Sequence, residues 1–335
     1  MTFMWSPTMM LASTTLITST LMALSSTNWL FLWASMELNL LSFIPILISS
    51  KMNREIESAV KYFLAQALGS ALLLTSSIMM WSPYSFAPSV TAMMLTMSIL
   101  LKLGSAPCHL WYPSVMSGIT WMSCTILSSW QKLAPLSILI FFTSITPKPI
   151  IPMMAAMNAL FGGMMGMNQT QLRAIMAYSS IGHLGWIMAF MVVSKPALSM
   201  IYFMVYCTLI LPLFLVFNYM NIMTSKQLSK ASSIPFSTQM SLVILLLSLA
   251  GLPPLTGFMP KLMAITSLAS QNISLILLLI VGSLMNLYYY LNIIVNMSLV
   301  NQVITFNYVR YTLKTKVLLF MSSVLSIGLL PLVLF

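Results

Sequence analysis

The sequence is poor in charge and contains no aspartate at all. Charged residues make up 5% of its 335 residues, whereas soluble domains carry about a quarter. Hydrophobic residues make up 59%, and no polar stretch is long enough for a domain outside a membrane. The composition therefore predicts an all-α, polytopic membrane protein, and it excludes a soluble nucleotide-binding or phosphate-binding module.

Cysteine is also scarce. Cys108, Cys124 and Cys207 lie far apart in apolar surroundings, and no pair has the spacing of metal ligands. We expect small buried side chains there, with no metal, haem or other cofactor bound by this chain. Most of the fourteen basic residues are scattered over short loops rather than clustered, which argues against nucleic-acid binding.

Apolar runs of about 20 residues, the length that crosses a bilayer, recur along the whole chain. We predict about eleven transmembrane helices. The runs cover residues 4–24, 29–48, 62–80, 92–111, 119–145, 151–167, 172–193, 196–219, 240–268, 273–297 and 317–335. A charged loop over 51–61 separates the second and third runs, and a polar linker over 221–237 separates the eighth and ninth.

The basic residues of the loops divide unequally between the two sides that alternate spans produce. One side receives Lys51, Arg54, Lys61, Arg173, Lys226, Lys230, Arg310, Lys314 and Lys316. The other side receives only Lys148 and Lys195. Since Lys and Arg stay on the side of synthesis, we predict that the N-terminus lies on the positive side and the C-terminus on the opposite side.

Two of the apolar runs contain residues that cannot continue a regular helix. The fourth is interrupted at Gly104 and Pro107. The ninth is interrupted over the stretch that contains Gly251, Pro253, Pro254, Gly257 and Pro260. A broken helix at membrane depth is tolerated only where protein covers it or where it lines a wet cavity. The two breaks therefore indicate an ion or proton path.

Each break carries a lysine, Lys102 in the fourth run and Lys261 in the ninth. The interval is five helices, an odd number, so the second set of five starts on the opposite side of the membrane. This pattern predicts an inverted repeat, as in transporters with broken helices. We place the first repeat at 1–146, the second at 147–300, and a C-terminal loop with an additional helix at 301–335.

Four ionisable groups fall inside the predicted spans: Glu37, Lys102, Lys132 and Lys261. Such groups are costly in a bilayer and by default indicate function. We expect Glu37 to act as a charge gate with Lys102, although a structural ion pair is the alternative. Lys261 is either a proton carrier or a cation whose stem reaches the interface. Lys132 is a carrier or an anchor beside Trp130.

Two histidines add candidates for proton transfer, because imidazole titrates near neutral pH. His183 lies inside the seventh run, where proton relay and hydrogen-bonded packing are equal alternatives. His109 has the same two alternatives, but it lies next to the first break and closer to the predicted end of a helix.

Four stretches together resemble a known family. They are Met36–Pro45 (MELNLLSFIP), Trp130–Pro135 (WQKLAP), Ser179–Trp186 (SSIGHLGW) and Gly251–Lys261 (GLPPLTGFMPK). They are similar to the subunit 2 family of mitochondrial NADH:ubiquinone oxidoreductase, respiratory complex I, in its eleven-helix animal form. The resemblance covers nearly the whole chain.

The resemblance implies an antiporter-like, proton-pumping subunit of the translocase, without a redox centre or substrate site of its own. NADH, FMN, iron-sulfur clusters and ubiquinone would bind to other subunits. Two further antiporter-like subunits and small membrane subunits would be its partners. The location would be the mitochondrial inner membrane, with the N-terminus in the matrix and the C-terminus in the intermembrane space.

The implied relay runs through Glu37, Lys102, Lys132, His183 and Lys261. Two other classes of protein share some of these features. A free-standing cation/proton antiporter has similar broken helices, but the chain has no pair of aspartates for a sodium ion. A structural spacer that does not pump protons would have the same helices, but its buried lysines would have no function.

Overall fold

The computed structural model describes residues 6–50, 52–81, 88–143, 149–225, 227 and 236–298. These residues form thirteen α-helices and one isolated β-bridge, so the predicted all-α class is confirmed there. The helices are α1 (Pro7–Ser25), α2 (Trp29–Leu47), α3 (Asn53–Trp81), α4 (Pro88–Leu103), α5 (Trp111–Gly118), α6 (Trp121–Ser128), α7 (Trp130–Phe142), α8 (Ile150–Met167), α9 (Leu172–Val192), α10 (Pro196–Met220), α11 (Phe236–Ala250), α12 (Phe258–Leu268) and α13 (Ile273–Ser298). The predicted eleventh span lies outside the described residues.

Eight of the described segments are long and apolar enough to cross a membrane. They coincide with the first, second, third, fifth, sixth, seventh, eighth and tenth predicted runs. The fourth and ninth runs are absent from this set because a loop interrupts each of them and leaves shorter helices. A polytopic, all-helical membrane protein is therefore confirmed, while the total of eleven spans stays a prediction.

The third span begins earlier than the sequence pattern indicated. Helix α3 starts at Asn53, so most of the predicted charged loop forms its first turns. The exposed side chains of Glu57 and Lys61 form an ion pair one helical turn apart, which supports a helix on its polar face. Glu55 is buried and accepts hydrogen bonds from the amide and hydroxyl of Ser50.

The sequence predicts one helix over the fifth span. The structure instead has two helices there, α6 and α7, which are separated by a turn at Ser129. Pro135 lies inside α7. The break at Ser129 falls immediately before the stretch that contains Lys132.

The helices group into two compact units that divide between Ile151 and Pro152. In the first unit, α3 packs against α2, α4 and α5, and α4 also packs against α7. Phe43 and Tyr62, which are almost fully buried, meet edge to face in the interior of this unit. The predicted repeat boundary at 146/147 and the inverted relation of the repeats stay predictions.

In the second unit, α9 is the central helix and packs against α10, α12 and α13. Of its most apolar 18 residues, 89% are buried, against 28% in α1. Helix α8 approaches α9 closely at Gly162, where an added Cβ would lie 2.6 Å from the amide nitrogen of Gly182. Small residues thus allow close helix packing here, and this packing buries the middle of α9 around His183.

Candidate functional site

The first break begins at the end of α4, where the chain turns at Gly104. Gly104 has φ of 67°, in the left-handed region that favours glycine. Its amide donates to the Leu101 carbonyl at 3.1 Å, and the Ser105 amide donates to the Leu100 carbonyl at 3.1 Å. This pair of bonds is the Schellman motif, which satisfies the last carbonyls of a helix. Pro107 follows in the loop before α5.

The second break begins with the same motif. Gly251 follows α11 with φ of 81°. Its amide donates to the Ser248 carbonyl at 3.0 Å, and the Leu252 amide donates to the Leu247 carbonyl at 3.3 Å. In both broken spans, the first helix therefore ends with the same C-terminal motif, in which a glycine directly follows the last helical residue.

The other predicted break residues of the ninth run differ in position. Pro253, Pro254 and Gly257 lie between α11 and α12. Pro260 does not lie in the break but in the first turn of α12. Amides of a first turn have no acceptor within the helix, so the missing amide hydrogen of proline is tolerated there.

Side chains complete the carbonyl bonding at both breaks. The indole nitrogen of Trp111 donates to the Leu101 carbonyl at 3.0 Å, and the Gln66 amide donates to the Lys102 carbonyl at 3.1 Å. At the second break, the Lys261 ammonium group donates to the Ala250 carbonyl at 2.7 Å. Without such partners these carbonyls would be unsatisfied away from water.

Lys102 lies in the last turn of α4 and is 7% exposed. The half-buried carboxylate of Glu37, on α2, interacts with it electrostatically. The two side chains do not form an ion pair within the described residues. Their charges therefore influence each other through space, without the direct contact that a structural salt bridge would have.

Lys132 lies in the first turn of α7 and is 3% exposed. Its Nζ atom is 4.6 Å from the centroid of the Tyr112 ring. A cation over an aromatic face is attracted to the ring, and more strongly when both are removed from water. Tyr112 is itself packed against the first break, since an added Cβ at Gly104 would lie 2.8 Å from the Tyr112 Cβ.

Lys102 and Lys132 line the same cavity in the first unit. Its volume is about 20 Å³. The other lining side chains that carry hydrogen-bonding groups are Asn39, Tyr62, Gln66, Trp111, Tyr112 and Gln131. Two buried lysines from different helices thus line one small polar cavity.

Hydrogen bonds connect three of the polar side chains that line this cavity. The Gln131 amide nitrogen donates to the Asn39 amide oxygen at 2.9 Å, and the Tyr62 hydroxyl donates to the Gln131 amide oxygen at 3.4 Å. Our sequence reasoning selected charged residues and missed the neutral Asn39, Tyr62, Gln66 and Gln131. The sequence could have identified them, because they are neutral polar residues inside or next to apolar runs. Tyr62 and Gln66 are also one helical turn apart on α3.

His183 lies in the middle of α9 and is 5% exposed. Its Nδ1 atom forms a 2.9 Å hydrogen bond with the Tyr202 hydroxyl of α10. His109 lies in the first break, where its Nδ1 atom donates to the Pro107 carbonyl at 3.2 Å. Each histidine therefore has a defined orientation, which suits either packing or proton transfer.

The candidate residues are distributed over both units. Glu37, Lys102 and Lys132 belong to the first, and His183 and Lys261 to the second. Among the described residues, no group of three His, Cys, Asp or Glu side chains is arranged to hold a metal ion.

A family model described as "NADH:quinone oxidoreductase/Mrp antiporter, TM" matches residues 26–286. The chain is 59% identical over 296 residues to the NADH-ubiquinone oxidoreductase chain 2 of Lumbricus terrestris, covering 88% of both proteins. It is 40% identical to the chain 2 of Lemur catta, covering 85% of this chain and 84% of that protein.

Two solved assemblies contain chains of the same fold. A chain of respiratory complex I from Thermus thermophilus superimposes with a TM-score of 0.85 at 21% identity, covering 95% of this chain and 77% of that chain. A chain of the Mrp complex from Dietzia sp. DQ12-45-1b superimposes with a TM-score of 0.81 at 13% identity, covering 95% and 74%. At these identities the likeness concerns the fold.

Proposed function

The chain belongs to the chain 2 family of NADH:ubiquinone oxidoreductase, the antiporter-like membrane subunits of respiratory complex I, and we propose that it carries protons through the buried groups at its broken helices. It is a multi-pass protein of the mitochondrial inner membrane and part of the complex I assembly. The redox reaction of the complex would take place in other subunits and would drive proton transfer here.

The observation that carries the proposal is the cavity shared by Lys102 and Lys132. Two lysines that are 7% and 3% exposed, inside or next to apolar helices, are costly in a membrane protein. A scaffold would gain nothing from them. A proton path needs groups that change charge, and a buried amine next to a polar cavity is such a group.

The chemistry follows from the response of a buried amine to neighbouring charge. Burial disfavours the ammonium form, and a nearby carboxylate favours it. A rearrangement of charge in a neighbouring subunit that moves or neutralises Glu37 would therefore change the proton affinity of Lys102. Lys132 would then exchange a proton with Lys102, and the change would pass through His183 to Lys261 and an exit.

The finer architecture belongs to the same proposal. We infer eleven spans in two inverted five-helix repeats, 1–146 and 147–300, followed by the additional helix. The N-terminus would face the matrix and the C-terminus the intermembrane space. FMN, iron-sulfur clusters, NADH and ubiquinone would bind elsewhere in the complex. Two other antiporter-like subunits and small membrane subunits would be the neighbours.

The test is the substitution of Lys102 or Lys132 by Met in the assembled complex, reconstituted into sealed vesicles. Methionine keeps the length of the stem and removes the titratable group. NADH oxidation and proton uptake would be measured in the same vesicles, with Lys61→Met as the control because Lys61 is exposed on α3. We expect assembly with loss of coupled pumping for the buried lysines only. Normal proton uptake per NADH in both buried variants would identify the chain as a structural spacer.

A further inference from the structure

We propose that the indole N–H group of Trp33 is a second partner for the Glu37 carboxylate, which alternates between a hydrogen bond to Trp33 and a position beside Lys102. This inference rests on the proposed function, because it completes the gate that Glu37 forms with Lys102. Trp33 would act through Glu37 and carries no proton in the relay, so it is a positioning residue.

Trp33 has a hydrogen-bond donor without an acceptor. It lies in α2, and its side chain is half-buried. Its Nε1 atom is shielded from solvent and forms no hydrogen bond within the described residues. The indole N–H group can only donate, and a buried tryptophan usually finds a partner for it. A shielded donor of this kind costs stability unless an acceptor reaches it in another state of the protein.

Glu37 lacks what Trp33 offers. Its ionised carboxylate can only accept hydrogen bonds, and among the described residues it forms neither an ion pair nor a hydrogen bond. It interacts with Lys102 electrostatically. The carboxylate is therefore close enough to be influenced by the charge of Lys102, yet its oxygens are available to another donor.

Helix geometry brings the two groups together. Residues four apart lie on the same face of an α-helix, with Cβ atoms roughly 5–6 Å apart. Long side chains of a helix also lean towards its N-terminus, over the preceding turn. For Glu37 the preceding turn is the one that carries Trp33. Of the residues three or four positions from Trp33 in α2, only Glu37 has a side-chain oxygen. Rotation of side chains alone can therefore form the bond.

The bond would give the gate two discrete positions. A carboxylate keeps its charge both beside an ammonium group and when it accepts a hydrogen bond from a neutral donor. What changes between the two positions is its distance from Lys102. The position beside Lys102 favours the ammonium form of that lysine, and the position at Trp33 removes this support. Trp33 thus defines where the charge goes when it leaves Lys102.

The test compares Trp33→Phe with Trp33→Tyr in the assembled complex, reconstituted into sealed vesicles. The two variants keep the same aromatic ring and differ by one hydroxyl, a donor that only Tyr supplies. A tryptophan that serves only packing would leave their pumping rates equal. We expect Trp33→Phe to pump about tenfold more slowly than the native complex, the factor that corresponds to a lost hydrogen bond to a charged group. Trp33→Tyr should pump several-fold faster than Trp33→Phe.

Trp29 provides the matched control. It lies one helical turn earlier in α2, is also half-buried, and stacks on Phe142 with ring centroids 4.7 Å apart. No carboxylate lies three or four positions from it, so Trp29→Phe and Trp29→Tyr should pump equally. The difference between Trp33→Phe and Trp33→Tyr should also disappear when each is combined with Glu37→Met, which removes the acceptor.

The outcomes separate this inference from the function on which it rests. Normal pumping by Glu37→Met would overturn the gate itself, and the role of Trp33 with it. Impaired pumping by Glu37→Met with equal rates for Trp33→Phe and Trp33→Tyr would overturn only the role of Trp33. A difference between these two variants that persists with Glu37→Met would assign the donor to another acceptor and also overturn it.

A direct measurement decides the matter if the Trp33 variants do not assemble. High-resolution maps of the native complex during turnover would show the two side chains in each conformational class. A Glu37 oxygen within about 2.7–3.2 Å of the Trp33 Nε1 atom in one class supports the bond. A longer distance in every class overturns it.

Discussion

The ammonium group of Lys261 donates a 2.7 Å hydrogen bond to the carbonyl oxygen of Ala250, the last residue of α11. The lysine belongs to the helix that follows the break, yet it closes the end of the helix that precedes it. A cation is favourable at a helix C-terminus, where the backbone dipole is negative. An amine that loses one proton still has N–H groups to donate, so the cap persists in both protonation states.

Substitution of Lys261 separates its two roles. Lys261→Met leaves the Ala250 carbonyl unsatisfied, which costs about 1–3 kcal/mol, and removes the proton carrier. Lys261→Arg keeps a cationic donor but cannot release its proton. We expect both to abolish coupled pumping, with lower thermal stability for Met than for Arg, measured on the purified complex. Pumping by the Arg variant would show that Lys261 serves only as a cap.

Gly251 is required for two reasons that substitution can distinguish. Its φ of 81° disfavours other residues, and an added Cβ would lie 2.6 Å from the Lys261 Nζ atom. Alanine is disfavoured by the backbone conformation and by the contact with Lys261, and the left-handed conformation alone costs about 1–2 kcal/mol of stability. Asparagine tolerates the left-handed conformation better. We expect Gly251→Asn to assemble better than Gly251→Ala, measured as the yield of intact complex.

Both Gly251 variants should nevertheless pump slowly, because either Cβ displaces the Lys261 ammonium group from the Ala250 carbonyl. Proton uptake per NADH measures this. A normal ratio in Gly251→Asn would mean that the position of Lys261 is not critical.

Glu37→Gln tests the electrostatic gate. The substitution keeps the shape of the side chain and removes the charge that acts on Lys102. Since Glu37 is half-buried and forms no ion pair among the described residues, assembly should be unaffected. We expect a several-fold lower rate of coupled proton uptake. Glu57→Gln, on the exposed face of α3, is the control and should pump normally. Equal rates in the two variants would contradict a gate at Glu37.

Tyr202→Phe examines His183 without touching the imidazole. The substitution removes only the hydroxyl that bonds to Nδ1 at 2.9 Å, so the orientation of a relay histidine would be lost. We expect fewer protons pumped per NADH, with Tyr288→Phe as the control because Tyr288 is exposed. A fall in thermal stability with an unchanged proton ratio would assign His183 to packing.

The sequence by itself determined the membrane class, the eight described spans that are long and apolar enough to cross a membrane, and the places where two further runs break. These features depend on local chemistry: apolar length, and glycine or proline that cannot continue a helix. Gly104 and Gly251 turn the chain where the pattern predicted it. The charged residues at 53–61 were wrongly predicted to form a loop. They belong to the first turns of α3, which are helical and polar on one face.

Only the tertiary structure decided which groups meet. Lys102 and Lys132 belong to separate apolar runs, and nothing in either run indicates that they line one cavity. The Asn39–Gln131 bond spans 92 residues, and the bond from Lys261 to Ala250 crosses a break whose path depends on its own turns. Local pattern specifies each helix, whereas contacts between helices follow from the packing of all of them together, and the candidate site consists of such contacts.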